Sequence, residues 1–434
     1  MPAALRLRYT ENDLQGMCAR PFRGAYFERI LLMKNERPNI LLGITGGIAA
    51  YKAAGLCSAL VKKGYEVQTI ATTHACEFVA PLTFEALTGK RCVTDMFDPH
   101  FQRNTEHISF AKAADLVLIA PATANVIAKL AHGIADDMLT TTVLAAECPK
   151  LVAPAMNTAM LHNPVTQDNL AKLASCGWII IPCGSGRLAC GDTGEGKLAD
   201  ESVLLSYIDQ YLPGKKDLCG KKVLVTAGPT RESLDPVRFL TNHSSGKMGY
   251  AIAKAAARRG ANVTLVTGPT ALPDPLFMNV VHIDSAEDMF CAVTSVSDTM
   301  DIIIKAAAVA DYRPASYADE KIKKKDSDLS IPLARTKDIL GYLGAHRHAG
   351  QFLCGFSMET EHMVENSKAK LLRKNIDMIA ANNVKEEGAG FALDTNRITL
   401  ITKDSQTVLP LLSKDDAADA LLDAVVNAME EDSL

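Results

Sequence analysis

Short apolar runs alternate with longer amphipathic segments through most of the chain. Asn39 to Ile44 is apolar almost throughout, Ile48 to Lys63 places apolar residues at helical spacing, and Glu66 to Ala71 is again a short strand-like run. The turn Thr45-Gly46-Gly47 separates the first two segments. Lys62-Lys63-Gly64 supplies the cations and the glycine that helix ends favour. The order strand, helix, strand predicts parallel neighbours in an α/β sheet.

The same alternation continues through the first half of the chain. Leu116 to Ala120 and Leu151 to Ala153 are predicted to be the third and fourth strands. Trp178 to Pro182 is predicted to be the last strand, and Glu201 to Leu212 to be a helix. Such a sheet binds its ligands beyond the carboxyl ends of the strands.

A second α/β domain is predicted after a break in this pattern. Pro213 to Asp217 interrupts the periodicity, and Lys221 begins a new apolar strand. Gly249 to Arg259 is predicted to be a helix, followed by strands at Asn262 to Val266 and Asp301 to Ala310. The predicted divisions are residues 1–36 as a poorly ordered extension, 37–212 as the first domain, 213–220 as a linker and 221–434 as the second domain.

The first 36 residues are predicted to be dispensable. They lack the apolar core of a signal peptide, and Met33 offers an internal start beside the first strand. We expect a protein without residues 1–32 to keep its assembly and its activities, measured by gel filtration and by turnover. Loss of either property would show that this segment is needed.

Composition narrows the class of protein. The 434 residues suffice for two or three domains, and 48% hydrophobic with 22% charged residues is ordinary for a soluble globular protein. A net charge of −4 and a pI near 6.2 argue against a nucleic-acid partner. No apolar run approaches the roughly 18 residues of a membrane span. Eleven cysteines without a Cys-x-x-Cys pair indicate reduced thiols in a cytoplasmic protein.

A glycine-rich segment from Gly184 to Asp200 carries one thiol, Cys190. Because glycine tolerates unusual backbone angles, we predict a mobile loop rather than a helix or strand. Such a loop past the end of a sheet suggests a lid that delivers a reactive group, although a surface loop with an incidental cysteine remains open.

Two further features lie at predicted strand ends. The turn Gly46-Gly47 precedes a helix and predicts an anion site for a single phosphate, with a tight structural turn as the alternative. His74 follows the second strand, where a base would be placed, although a lone histidine is more often structural.

Pro-Ala turns with an asparagine follow the third and fourth strands. They are PATAN at Pro121 to Asn125 and PAMNTAM at Pro154 to Met160. The amides suit a polar ring edge or a carboxylate. Met156 and Met160 could equally be core residues.

These motifs together resemble the flavin-dependent cysteine decarboxylases, above all phosphopantothenoylcysteine decarboxylase. The residues that carry the resemblance are His74, PATAN, PAMNTAM and ACGD at Ala189 to Asp192. It covers about Asn39 to Asp200 and implies a flavodoxin-like doubly wound parallel sheet, FMN, and a trimer-based dodecamer with sites between subunits. The chain departs from the family in having PATANV for PASANT, and Leu161 where tryptophan is usual.

The resemblance implies a decarboxylation in which FMN oxidises the thiol-bearing carbon of the substrate to a thioaldehyde, so that the carboxylate gains an electron sink. His74 would be the base, and Cys190 would protonate the enethiol that remains after CO2 is lost. Asn125 and Asn157 would hold the carboxylate, with Met156 beside the substrate. The residues implied to line FMN are Gly46, Gly47, Ile48, Thr72, Ser109 and Thr123.

In the second half, polar segments again follow predicted strands. Asn242 to Gly249 contains a glycine turn at a helix start but lacks the pattern of a P-loop. It is therefore predicted to be an anion-binding site of another kind. Asp311 ends an apolar run, and the lysine run Lys321 to Lys325 follows. These lysines either lie on a solvated surface or neutralise the charge of a triphosphate that is bound together with a metal ion.

The motifs AGPTRE, NHSSGKMG, AAVADYRP, EKIKK, GFSMETE and AANN resemble the bacterial, CTP-using phosphopantothenate–cysteine ligases over about Gly220 to Ala428. By motif position, Asn242 would hold the acyl-cytidylate, and Lys321 would also support attack by the cysteine amine. The residues implied to bind CTP are Ala306, Ala307, Asp311, Lys321, Lys337, Asp338, Ile339, Phe356, Lys370 and Lys374. The chain departs from this family at Lys337, where proline is common. The resemblance also implies Mg²⁺ together with CTP, although the motifs do not identify the ligands of the metal ion. It further implies that this domain forms dimers.

Both resemblances together imply the bifunctional enzyme of coenzyme A synthesis, acting on 4′-phosphopantothenate, L-cysteine and CTP. Two rival functions remain. A nicotinamide-dependent oxidoreductase would need a complete glycine fingerprint, which the chain lacks. A non-catalytic flavin-binding regulator would have no use for His74 together with Cys190, nor for a ligase half.

Overall fold

A computed structural model describes residues 37–98, 101, 105–324, 330–359, 363–383 and 393–431. The predicted extension at residues 1–36 lies outside this range, and so does Lys325 of the lysine run. The described chain forms two compact units, divided in sequence between Gly214 and Lys215. Leu218, in the predicted linker, is buried in the core of the second unit.

The first unit alternates strands and helices. Its strands are β1 (Asn39–Ile44), β2 (Glu66–Ala71), β3 (Leu116–Ala122), β4 (Lys150–Pro154), β5 (Ile179–Ile180), β6 (Gly184–Arg187) and β7 (Thr193–Lys197). Its helices are α1 (Ala50–Lys62), α2 (Thr73–Cys76), α3 (Pro81–Thr88), α4 (Glu106–Ala113), α5 (Ala124–His132), α6 (Met138–Ala145), α7 (Thr158–Leu161), α8 (Pro164–Ser175) and α9 (Glu201–Tyr211).

The five-stranded sheet of this unit has the order β2-β1-β3-β4-β5, and all its strands are parallel. This is the flavodoxin-like doubly wound order, with a topological switch point between β1 and β3. The strands are buried on both faces, which explains their continuous apolar sequences. The predicted fold class of the first unit is confirmed.

The second unit is built on a larger sheet. Its strands are β8 (Lys222–Ala227), β9 (Arg231–Ser233), β10 (Phe239–Thr241), β11 (Asn262–Thr267), β12 (Asn279–His282), β13 (Ile302–Lys305), β14 (Tyr312–Pro314), β15 (Leu333–Arg335), β16 (Phe352–Glu359), β17 (Met378–Asn383), β18 (Thr395–Asn396), β19 (Ile398–Ile401), β20 (Gln406–Val408) and β21 (Leu412–Ser413). Its helices are α10 (Lys247–Arg258), α11 (Ala286–Thr294), α12 (Ile339–His346), α13 (Met363–Lys374) and α14 (Lys414–Glu431), with a short 3₁₀ helix at Ser297–Thr299.

The order of the large sheet is β12-β11-β8-β13-β16-β17-β19-β20. The first six strands are parallel and follow the doubly wound 3-2-1-4-5-6 order, while β19 and β20 pair antiparallel. Alternate residues of β13 enter two cores. Ile302 and Ile304 pack in the core that contains α10 and α14, whereas Ile303 packs in the core that contains α12 and α13. The predicted second Rossmann-like domain is confirmed.

The prediction of a mobile loop between Gly184 and Asp200 is wrong in part. Strands β6 and β7 form an antiparallel hairpin that turns at residues 188–192. The glycines that predict a mobile loop instead serve the hairpin, because two of them adopt backbone angles that other residues avoid, with φ of 147° at Gly186 and 126° at Gly196.

The strand predicted from Asp301 to Ala310 is shorter than expected, because β13 ends at Lys305. Beyond it the backbone bonds to the loop after β8. Ala308 N donates to Gly228 O at 2.9 Å, and Ala310 N donates to the Thr230 hydroxyl at 3.0 Å. The apolar run therefore ends in a loop at the carboxyl edge of the sheet.

Candidate active sites

In the first unit, Thr45 joins the ends of β1 and β3. Its hydroxyl donates to Pro121 O at 2.7 Å and accepts from Thr123 N at 3.0 Å, and the residue is fully buried. The glycine turn and the PATAN motif therefore lie together at the switch point. Sequence reasoning missed Thr45, although its place directly before the glycine turn could have indicated it.

The glycine turn is held close to His74. A Cβ on Gly46 would lie 2.3 Å from His74 Cβ, so no side chain fits there. Among the described residues, the N–H groups of Gly46, Gly47 and Ile48 donate no hydrogen bond to the protein. Three consecutive unused donors at a helix start suit the phosphate of a mononucleotide.

The two threonines predicted to line the cofactor are both helix caps. Thr72 Oγ1 accepts from Ala75 N at 3.3 Å, and Thr123 Oγ1 accepts from Val126 N at 3.4 Å. Each hydroxyl keeps its hydrogen for a ligand beyond the strand end. Ser109 lies on α4, and Asn125 is exposed in the first turn of α5.

The hairpin β6–β7 packs against the PAMNTAM segment. Met156 N donates to Gly196 O at 2.9 Å, and Thr158 Oγ1 donates to Glu195 O at 2.7 Å. At the hairpin tip, Asn157 Nδ2 donates to Cys190 Sγ at 3.3 Å. The Cys190 thiol in turn donates to Asp192 Oδ2 at 3.3 Å. The structure thus brings two predicted site residues into contact and adds Asp192, which sequence reasoning did not assign a role.

The variant Gly196→Ala is expected to detach this hairpin. A Cβ at this position would lie 2.2 Å from Met156 O, in addition to strain at a φ of 126°. Such strain alone costs about 1–3 kcal/mol. Faster proteolysis within residues 184–197 should reveal the detachment.

Gly186→Ala is the matched control, because its φ of 147° gives similar strain while the nearest atom to its Cβ is Lys197 Cδ at 4.0 Å. We expect the cleavage rate of Gly186→Ala to lie between those of the native protein and Gly196→Ala. Equal rates for the two variants would show that the contact with Met156 does not hold the hairpin.

In the second unit, the loop after β13 meets the end of β8. Ala306 N donates to Thr226 O at 3.2 Å, and Ala307 N donates to Thr226 Oγ1 at 3.1 Å. Asn242 Nδ2 donates to Ala308 O at 3.1 Å. The predicted site residue Asn242 therefore contacts residues 306–308, which we call the alanine loop. Two of these residues, Ala306 and Ala307, are predicted to face the nucleotide.

A second group of predicted residues meets around the start of α12. Thr336 N donates to Asp311 O at 3.0 Å, which brings the loop before α12 beside Asp311. Asp338 caps α12 and forms an ion pair with Lys374. Lys370 Nζ donates to Phe356 O at 3.3 Å. Burial lowers the pKa of Lys374, while the Asp311 carboxylate acts in the opposite direction.

Lys337 is directed towards α11. Its ammonium lies 2.5 Å from Glu287 Oε1 and 4.6 Å from the centroid of the Phe290 ring. The hydrogen bond to Glu287 raises the pKa of Lys337. This contact fixes the loop before α12 against α11.

Lys321 lies in residues 315–324, the segment after β14, which we call the arm. Ile322 N donates to Asp235 Oδ2 at 3.2 Å, and Arg238 donates to Ile322 O at 2.9 Å. The hydrogen bond from Arg238 holds the pKa of Asp235 well below its usual range. Within the described ranges, Lys321 forms no hydrogen bond or ion pair with the other predicted site residues. Sequence reasoning missed Asp235 and Arg238, which no local motif marks.

Two general findings concern the described part of the chain only. No group of three or more histidine, cysteine or acidic side chains is arranged to hold a metal ion. None of the helices combines the length and apolar character that crossing a bilayer requires.

Comparison with known proteins decides the family. A family model described as flavoprotein matches residues 29–212, and one described as the C-terminal domain of DNA/pantothenate metabolism flavoproteins matches residues 218–429. The coenzyme A biosynthesis bifunctional protein CoaBC of Vibrio cholerae is 46% identical over 392 residues, which are 90% of this chain and 98% of that protein. This chain belongs to the coenzyme A biosynthesis bifunctional protein family.

Other members of the family are similarly related. The protein of the same name from Bacillus subtilis is 46% identical over 397 residues, covering 91% of this chain and 97% of that protein. A crystal structure of the C-terminal domain of such a bifunctional protein is 44% identical and covers 50% of this chain and 100% of that chain, with a TM-score of 0.44. The predicted family is confirmed, and with it an enzyme that has decarboxylase and ligase activities. The roles of individual residues and the homo-oligomer stay predictions.

Proposed function

We propose that the second unit joins L-cysteine to 4′-phosphopantothenate through a CTP-derived acyl-cytidylate, and that the first unit decarboxylates the product to 4′-phosphopantetheine with FMN. The ligase must act first, because its amide product carries the carboxylate that the decarboxylase removes. The observation that carries the proposal is the contact of Cys190 with Asn157 at the carboxyl edge of a flavodoxin-like sheet. The flavoprotein family model over the same residues supports a flavin there.

In the first unit, the unused N–H groups of Gly46, Gly47 and Ile48 would hold the phosphate of FMN. A bound flavin would supply the oxidation and the later reduction of the substrate carbon. His74 is placed beside the glycine turn to act as the base, and Asn125 and Asn157 would orient the substrate carboxylate.

The Cys190 thiol would then give its proton to the enethiol carbon. Its hydrogen bonds fix the thiol at the hairpin tip, where it would act as the proton donor to the substrate.

In the second unit, Asn242 would hold the acyl-cytidylate beside the alanine loop. Lys370 and Lys374 of α13 would neutralise the triphosphate, whereas the ammonium of Lys337 is engaged by Glu287. Mg²⁺ would accompany CTP and be bound largely by its phosphates, which is a common arrangement for this ion. Lys321 would enter the site from the arm. In the expected dimer, the arm of one copy could complete the site of the other.

The test is to incubate the purified protein with 4′-phosphopantothenate, L-cysteine, CTP and Mg²⁺, and to follow CMP and CO2 separately. We expect both products, together with FMN released from the denatured protein. A nicotinamide requirement would support the oxidoreductase instead, and bound FMN without turnover would support the regulator.

A further inference from the structure

Lys305 is a cation inside the second unit that none of the motifs singled out. It is the last residue of β13 and pairs in register with Thr226 of β8 and Gly355 of β16. Because side chains alternate along a strand, Lys305 shares the sheet face of Ile303, which is covered by α12 and α13. On that face its register neighbour Gly355 is covered by Leu340 of α12, because a Cβ there would lie 2.8 Å from Leu340 Cδ2.

The charged groups that act on Lys305 come from two sides. Lys370 and Lys374 approach from α13, and Asp311 approaches from the segment after β13. Asp338 is already paired with Lys374, so of these two carboxylates Asp311 is the one that acts on Lys305. No hydrogen bond or ion pair reaches the Lys305 ammonium from the described residues.

We propose that Lys305 is an additional binding residue of the nucleotide site, where its ammonium binds the polyphosphate of the nucleotide beside Lys370 and Lys374. The inference rests on the proposed function of the second unit and deepens it. An anion with several charges suits a site where the ammonium of Lys305 lies near two further lysines, and burial strengthens the attraction.

In the free protein, the pKa of Lys305 is far below the usual value for a lysine. Burial, followed by the Lys370 cation, lowers its pKa from 10.5 to about 8, although Asp311 opposes the shift. A bound polyphosphate favours the charged form and returns the pKa towards its usual value. At pH 7.5 most of the ammonium is already charged in the free protein, so binding takes up only about a quarter of a proton. At pH 9.5 little of it is charged before binding, so binding takes up nearly one proton. Above pH 8 the affinity falls by up to about tenfold per pH unit.

The experiment measures CTP binding by calorimetry at pH 7.5 and 9.5, in buffers of different ionisation enthalpy. For the native protein we expect little proton uptake at pH 7.5 and nearly one proton at pH 9.5. Lys305→Met should lose this uptake and bind CTP roughly 10-fold or more weakly at pH 7.5. Lys305→Arg stays charged at both pH values, so it should restore affinity at pH 7.5 and keep it at pH 9.5.

Lys216→Met is the matched control. Burial also lowers the pKa of Lys216 to about 8, but its ammonium donates to Arg258 O at the opposite edge of the sheet. This variant should take up protons as the native protein does. Cytidine, which has no phosphate, should cause no uptake with any form.

Four results would contradict the inference. Native protein that binds CTP without proton uptake at pH 9.5, or a Lys305→Met variant with native uptake, would remove Lys305 from the site. Uptake caused by 4′-phosphopantothenate and not by CTP would assign the lysine to the other substrate. Native protein that binds no CTP at all would instead overturn the proposed nucleotide, and this inference with it.

Discussion

The variant Cys190→Ser is expected to stop decarboxylation after CO2 is lost, while ligation continues at the native rate. A serine hydroxyl is a far weaker acid than a thiol, whose ordinary pKa is about 8.5, so it is a poor proton donor to the enethiol. Loss of a positioned general acid typically slows a reaction by about 10²- to 10⁴-fold. Release of 4′-phosphopantetheine and the accumulating oxidised product should be measured by mass spectrometry, and the flavin by its absorbance.

Cys176→Ser is the matched control for this variant. Cys176 is an exposed thiol of the same unit at the end of α8, away from the hairpin. It should form 4′-phosphopantetheine at the native rate. Native product formation by Cys190→Ser would show that another group donates the proton.

The variant Lys321→Gln is expected to slow ligation about 30- to 1,000-fold and to leave decarboxylation unchanged. Preorganised electrostatic groups of this kind contribute about 2–4 kcal/mol to the transition state. At about 1.36 kcal/mol per tenfold in rate, this range gives the stated factor. If Lys321 belonged to a solvated face instead, its replacement would change stability by only about 0.5 kcal/mol and activity hardly at all.

CMP release and CO2 release must be followed separately in this variant, the latter from pre-made 4′-phosphopantothenoylcysteine. Lys323→Gln is the matched control, because Lys323 is exposed on the same arm. A native rate of CMP release in Lys321→Gln would return the residue to a solvated face. Parallel loss of CO2 release would show that the two activities are not divided between the units as proposed.

The parallel strands could be predicted because each is marked by its own local sequence. The strand at Glu66–Ala71 has the predicted bounds, and the predicted helix at Ile48 to Lys63 begins two residues later, at Ala50. Burial on both faces makes each strand a continuous apolar run, and the cations and glycine after α1 mark its end. The glycines of β6 and β7 misled the prediction, because their angles suit a twisted hairpin packed on PAMNTAM as well as a loop.

The features of the candidate sites also differ in whether the sequence could predict them. Local periodicity records which residues are buried, so several of the parallel strands could be predicted, and with them the positions of His74, Asn125, Asn157 and Asp311 after apolar runs. The fold was needed to show that Cys190 contacts Asn157, that Asp235 holds the segment of Lys321, and that Lys305 faces α13. These relations join segments far apart in the chain. They depend on how the elements pack and pair, which no local pattern of apolar and polar residues contains.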